Sequence, residues 1–273
     1  MLQIIGHRGA RRQAVENSLE ALRAALDGGA DGVELDVQLS SDGEPIVFHD
    51  DDLQRLTAVP GLVQRWPWRE LRRLDQRDGE LQRQPIAHLD QVLEWWRGGP
   101  AWLNVELKVA ADLPRKAIER LVQVVARRLV ALPAERLVVS SFNGRALAEL
   151  AQLQPQWRLG ALVEPAAAGE RPGDFWPLAE QPAQASGPFA QVHPHHGLLT
   201  AERRQAFAQR GWPVWAWTVN GPQAWEEVAP MVAAGQLHAV ITDDPKGLRQ
   251  FCDLHAMELG APAAPTSWHP LRC

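Results

Sequence analysis

Residues 29–50 read GADGVELDVQLSSDGEPIVFHD, and this stretch decides the fold. Gly32-Val33-Glu34-Leu35-Asp36-Val37 is a β-like run in which apolar residues alternate with two carboxylates. Pro45-Ile46-Val47-Phe48-His49 is a second run, and it follows after too few residues for a helical crossover. A parallel partner needs about a dozen connecting residues or more. Asp42-Gly43 lies midway and is a hairpin turn signal. Residues 34–51 therefore read as a β-hairpin extending past the body of the fold. A turn centred on Asp42-Gly43 sets Asp36 opposite His49. Side chains alternate along a strand, so Glu34, Asp36 and His49 are expected on one face.

Outward from this stretch, short β-like runs alternate with helical ones. The further strands are Leu2-Gly6, Trp102-Leu107, Leu137-Ser141, Arg158-Val163, Ala190-His193, Val214-Val219 and Ala239-Thr242. With Gly32-Val37 they make eight, in a chain of 273 residues. That pattern and length predict an α/β fold, a TIM (β/α)₈ barrel. Leu19, Leu22 and Leu26 are spaced for one helix face, and Asn17-Ser18 offers a cap before them. One barrel domain is expected over residues 1–250, with a small insertion at about 50–101 over the active face. The stretch 164–189 reads as a loop, and 254–273, with Pro262, Pro265 and Pro270, as a flexible tail.

Composition narrows the function. No apolar run is long enough to span a membrane. Polar Gly6-His7-Arg8 interrupts the N-terminal apolar residues too early for a signal peptide. Two cysteines, Cys252 and Cys273, cannot make a disulfide framework, so a cytoplasmic location is expected. Net charge is −5 with no basic run, which argues against nucleic acid as a partner. Only Lys108, Lys116 and Lys246 among the 28 basic residues are lysines. A lysine in a candidate site is therefore informative, because arginine does not replace it freely.

The candidate residues sit where barrel strands end. His7-Arg8-Gly9 follows the first strand, and strand C-termini form the active face of such a barrel. Glu34 and Asp36 end the second strand and Glu106 the third. Carboxylates buried together repel one another unless a cation offsets them. Three of them suit a hard divalent ion, Mg²⁺ or Ca²⁺. His7 and His49 beside such a site suggest paired acid–base work. Lys108 suits a phosphate oxygen, and an ion pair with one of the carboxylates is the competing role. His193, His195 and His196 form a second cluster, from which one residue is expected to face the site. On the seventh strand, Trp215 is expected to pack in the core and Trp217 to wall a substrate.

Taken together these segments resemble the glycerophosphodiester phosphodiesterase family. The matching blocks are His7-Arg8-Gly9, Glu16-Asn17-Ser18, Gly29 to Val37, Asp42 to Asp50, Asp52 to Thr57, Glu106-Leu107-Lys108, Ser140 to Asn143, Trp217 to Asn220 and Ile241 to Pro245. They stand in family order over residues 3 to 250. One departure is Val15, where the family usually has proline. The resemblance implies His7 and His49 as general acid and base. It implies Glu34, Asp36 and Glu106 as ligands of one divalent cation. It implies Arg8 and Lys108 as phosphate contacts and Trp217 as a wall of the glycerol pocket. The implied reaction hydrolyses a small-molecule glycerophosphodiester to an alcohol and sn-glycerol 3-phosphate, without stable membrane insertion. A lysophospholipase D of the same superfamily is the alternative. It needs an apolar groove, for which Trp66, Trp68, Trp95 and Trp96 are available. A non-catalytic diester-binding protein is expected to lack a histidine or a carboxylate, and all five are present.

Overall fold

A computed structural model describes residues 2–97, 99–110, 113–165 and 190–255. Most of the stretch read as a loop at 164–189, and all of the tail beyond 255, lie outside the described residues.

Eight parallel strands form the body: Gln3–Gly6, Gly32–Leu39, Trp102–Leu107, Leu137–Ser141, Arg158–Val163, Ala190–Pro194, Trp215–Ala216 and Ala239–Thr242. Numbered along the chain, they lie side by side in the order sixth, fifth, fourth, third, second, first, eighth, seventh. Parallel bridges Val192–Val214 and His195–Trp217 bring the seventh strand against the sixth, so the sheet curls into a nearly closed TIM barrel. The seventh strand is shorter than its apolar run suggests. Beyond Ala216 its amides change partners, Trp217 donating to Pro194 O (3.1 Å) and Val219 to Ile241 O (3.0 Å).

Helices cover the outside, which is why the strands read as nearly continuous apolar runs. Leu19–Asp27 starts at Ser18, whose Oγ accepts from Ala21 N at 3.1 Å. Arg115–Leu129 buries Ile118, Leu121, Val122, Val125 and Leu129 along one stripe. Leu89–Trp96 buries Leu89, Val92 and Trp96 in the same core as Val37 and Val105. It is thus the crossover helix between the second and third strands. Ile5, Val138, Trp215 and Ile241 form one buried cluster among the strands. His193 stacks on Trp215 with ring centres 5.2 Å apart.

The hairpin forms, but its register differs from the expected one by one residue. Val37 pairs with Val47 and Leu39 with Pro45, and Phe48 N donates to Asp36 O at 3.0 Å. Asp36 therefore faces Phe48, not His49. The connection is a three-residue loop, with Ser40 N bonded to Glu44 O and Gly43 at φ 86°. That extra residue shifts the pairing, and a one-residue shift exchanges the two faces. Phe48 consequently enters a small core with Val15, Ile46, Leu53, Val63 and Leu71. His49 escapes the alternation because the ladder ends at Val47. The Gln38 amide then holds the departing chain, donating to Phe48 O (3.0 Å) and Asp50 O (2.8 Å).

Candidate active site

The first strand ends at Gly6, and the chain turns at once. Arg8 (φ 54°) and Gly9 (φ 86°) are both left-handed. A Cβ on Gly9 would come within 2.5 Å of the Ala21 backbone, where the turn packs on the first helix. Gly9→Ala is expected to lose about 2–3 kcal/mol of stability, read from urea unfolding. The Arg8 backbone N–H reaches Glu34 Oε2 at 2.8 Å, so this turn fixes one of the carboxylates.

Glu34, Asp36, Asn104 and Glu106 form one patch. Asp36 is in register with Glu106 across two parallel strands, and Glu34 with Asn104. Alternation puts all four on the same face. One oxygen from each of the three carboxylates lies within 4.8 Å of the others. Burial pushes the Glu34 pKa well above the ordinary carboxylate value, and the charges of Asp36 and Glu106 add to it. Burial and Asp36 push Glu106 up to about 7, against the pull of Lys108. Asp36 goes the other way. Its burial is outweighed by Arg8, Lys108, His49 and the 2.8 Å bond from Asn17 Nδ2, which together hold it low.

The basic residues are already engaged. Lys108 Nζ donates to Glu106 Oε1 at 2.8 Å and lies 3.7 Å from Asp36. The ion pair that competed with its phosphate role is therefore present. Arg8 bonds Glu16 Oε1 at 2.8 Å and its Nε lies 3.2 Å from Asp36. Glu16 is fully buried and also meets Arg11 and Arg55. Glu16, His49 and Asp50 approach one another closely enough for a metal ion, but guanidinium groups already offset that charge.

Each candidate histidine is backed by an aspartate. His7 Nδ1 bonds Asp243 Oδ1 at 2.7 Å, and Asn220 Nδ2 holds the other Asp243 oxygen at 2.7 Å. His49 Nδ1 bonds Asp50 Oδ1 at 2.6 Å, and Arg55 grips Asp50. With Nδ1 committed to the carboxylate, each imidazole keeps Nε2 for other work. Burial lowers the pKa of His7, against the bond to Asp243. Burial also lowers that of His49, against Asp36 and Asp50.

Both histidines line a cleft of about 470 Å³ at the strand C-termini, together with Arg8, Glu34, Glu106 and Lys108. Asp36 is not part of this lining, but one of its oxygens lies within 4.8 Å of oxygens of Glu34 and Glu106. Phe142 and Trp217 wall another part of it, their rings 5.5 Å apart and nearly perpendicular. Trp217 Nε1 is fixed on His193 O at 2.7 Å. Of the second histidine cluster, none lines this cleft. His193 is buried against Trp215, and burial drives its pKa down to about 3. Trp66, Trp68, Trp95 and Trp96 pack on the two neighbouring cores and do not line it either.

Sequence reasoning assigned no part in the site to Asp243, Asp50, Asn220, Glu16, Arg55 or Asn17. For Asp243 a signal existed. The first strand pairs with the eighth at Gly6–Thr242, so the next residues, His7 and Asp243, are neighbours.

Comparison with known proteins agrees with this geometry. The sequence profile of the glycerophosphoryl diester phosphodiesterase family matches residues 7–247. A glycerophosphodiester phosphodiesterase of Caldanaerobacter subterraneus subsp. tengcongensis is 30% identical over 253 residues, covering 90% of this chain and 95% of that protein. A solved phosphodiesterase of Oleispira antarctica, in complex with the product sn-glycerol-3-phosphate, is 30% identical with a TM-score of 0.73. The match covers 92% of this chain and 96% of that one. A glycerophosphodiester phosphodiesterase structure from Thermotoga maritima gives 26% identity and a TM-score of 0.68, covering 92% and 98%. Profile, sequence relative and solved structures coincide over nearly the whole barrel, so this chain belongs to the glycerophosphoryl diester phosphodiesterase family and is an enzyme of that kind.

Proposed function

We propose that the enzyme hydrolyses glycerophosphodiesters to an alcohol and sn-glycerol 3-phosphate, with one divalent cation and two histidines. The observation that carries this reading is the meeting, in one cleft, of three buried carboxylates and two aspartate-backed imidazoles. Glu34, Asp36 and Glu106 would hold the cation, Mg²⁺ or Ca²⁺. The donor set fits: it is all oxygen, and Glu34 Oε1 and Asp36 Oδ1 are buried without a hydrogen-bond partner. Cys252, the free cysteine among the described residues, sits in a different core. When bound, the cation supplies charge that offsets the phosphate and polarises its oxygens.

The chain's own residues do the rest. Arg8 and Lys108 line the cleft and can turn from their carboxylates to phosphate oxygens. One imidazole Nε2 takes the proton of the nucleophile, water or the neighbouring glycerol hydroxyl, and the other delivers a proton to the leaving alkoxide; the hydroxyl route forms a cyclic phosphate that water then opens. Asp243 and Asp50 hold the rings in the tautomer this needs. No helix among the described residues is long and apolar enough to cross a membrane, which suits a dissolved substrate. We assign the cytoplasm as compartment from the cysteine count.

The glycerol side is expected to keep the phosphate. Product analysis after turnover of glycerophosphocholine checks this. Choline with glycerol 3-phosphate supports the assignment, and phosphocholine with glycerol overturns it.

A further inference from the structure

The two aspartates behind the histidines are supported differently. Asp243 is held from within the barrel. Asn220 Nδ2 donates to its Oδ2 at 2.7 Å, and Asn220 Oδ1 accepts from Asp243 N (2.9 Å) and Thr242 Oγ1 (3.0 Å). Asp50 has no strand to lean on, because the hairpin ladder ends at Val47. Its carboxylate is taken by Arg55 instead, Nε meeting Oδ2 at 2.5 Å and Nη2 meeting Oδ1 at 3.0 Å.

The same guanidinium grips a second carboxylate. Arg55 Nη2 donates to Glu16 Oε1 at 2.7 Å and Nη1 to Oε2 at 3.2 Å. Glu16 is fully buried and is also held by Arg8 Nη1 (2.8 Å) and Arg11 Nη2 (3.0 Å). Three charge-assisted contacts make it a fixed post. Arg55 starts from a firm base as well. It lies on the short helix Gln54–Thr57, whose Leu56 packs with Leu53 and Phe48 in one core. A single exposed ion pair holds little, and the Arg55 side chain is 44% exposed. Two planar forks on one guanidinium are another matter, and an ammonium cannot supply them.

We propose that Arg55 is a positioning residue for His49. It locks Asp50 against the buried Glu16, and Asp50 holds Nδ1 of the ring so that Nε2 is left for the reaction. This rests on the phosphodiesterase reading above, in which His49 moves a proton.

The ring gives the first readout, with no substrate present. Imidazole nitrogen chemical shifts, assigned with His7→Ala and His49→Ala, report which nitrogen carries the proton. Above neutral pH, wild-type His49 is expected with its proton on Nδ1. Arg55→Ala, confirmed folded by circular dichroism, is expected to give a mixture of both tautomers at His49 and no change at His7. Unchanged His49 shifts overturn the proposal, and so does an equal change at His7, which marks general loosening. Kinetics on glycerophosphocholine give the second readout. Arg55→Ala is expected to lower kcat about 10- to 100-fold and to move KM less than about 3-fold, the pattern of a misplaced reacting group. Arg55→Lys keeps the charge without the forks and is expected to recover no more than about 3-fold of that loss; full recovery overturns the fork. In an Asp50→Ala background, Arg55→Ala is expected to change kcat less than about 2-fold, because its route to His49 is already cut. An undiminished loss in that background overturns the route through Asp50. Wild-type protein that turns over no glycerophosphodiester overturns the hydrolysis reading instead, and the ring readout still decides the part of Arg55.

Discussion

Removing divalent cations with a chelator is expected to abolish turnover, and adding Mg²⁺ or Ca²⁺ to restore it. The ground is electrostatic. Glu34 and Glu106 are buried, and each sees further negative charge from neighbouring carboxylates. Lys108 and Arg8 together bring two positive charges, and Arg8 is shared with Glu16. A carboxylate buried without compensation is expensive, so the cluster is expected to take up a cation. A second readout needs no substrate. A ligand bound by the folded state alone stabilises it by about 2.7 kcal/mol at 100 times its dissociation constant, so the melting temperature should rise with Mg²⁺ or Ca²⁺. Glu34→Gln separates binding from folding. It removes one anionic ligand and also relieves repulsion, so the chelated variant is expected to melt no lower than chelated wild type. Its cation-dependent rise should be lost. Full turnover by chelated protein that takes up no cation in calorimetry would sink the assignment.

Much of this site was legible because parallel barrels place strand ends on one rim. His7, Glu34, Asp36, Glu106 and Lys108 each follow or end an apolar run, and the fold brings those ends together. The hairpin was legible from the short gap between two apolar runs. Its register was not. Asp42-Gly43 signals a turn equally well for a two- and a three-residue loop, and one residue decides which side chain faces Asp36. What puts His49 into the cleft is Gln38, a long-range support that no local pattern announces. The aspartates behind the histidines were missed for two reasons. Asp50 adjoins His49 in sequence, where neighbours on a strand would point apart. Asp243 is 236 residues from His7, and their contact depends on the first and eighth strands being neighbours. The fate of the tryptophans depended on packing. Trp96 is fully buried and Trp217 half-buried, a difference set by which strand or helix face meets the core.

His7→Ala and His49→Ala are each expected to lower kcat on the order of 10²–10⁴-fold with glycerophosphocholine. The two losses should differ in kind. The imidazoles come from separate elements, the end of the first strand and the end of the hairpin. Each is anchored from behind by its own aspartate. The proposed mechanism has the two act on opposite sides of one phosphorus, as an in-line displacement requires. Choline leaves as a basic alkoxide and needs a proton, whereas nitrophenolate leaves without one. Removing the acid histidine therefore hurts glycerophosphocholine far more than a glycerophospho-nitrophenyl diester. Removing the base histidine hurts both alike, because attack on phosphorus is needed in either case. Asp243→Ala and Asp50→Ala extend the test, since each releases one ring from its held tautomer. Asp243→Ala should repeat the substrate pattern of His7→Ala at smaller size, and Asp50→Ala that of His49→Ala. A cross-match would mean that the aspartates serve something other than the rings they touch. Equal losses on both substrates for both histidine variants, with each protein shown to be folded, would leave no division of labour between the two imidazoles.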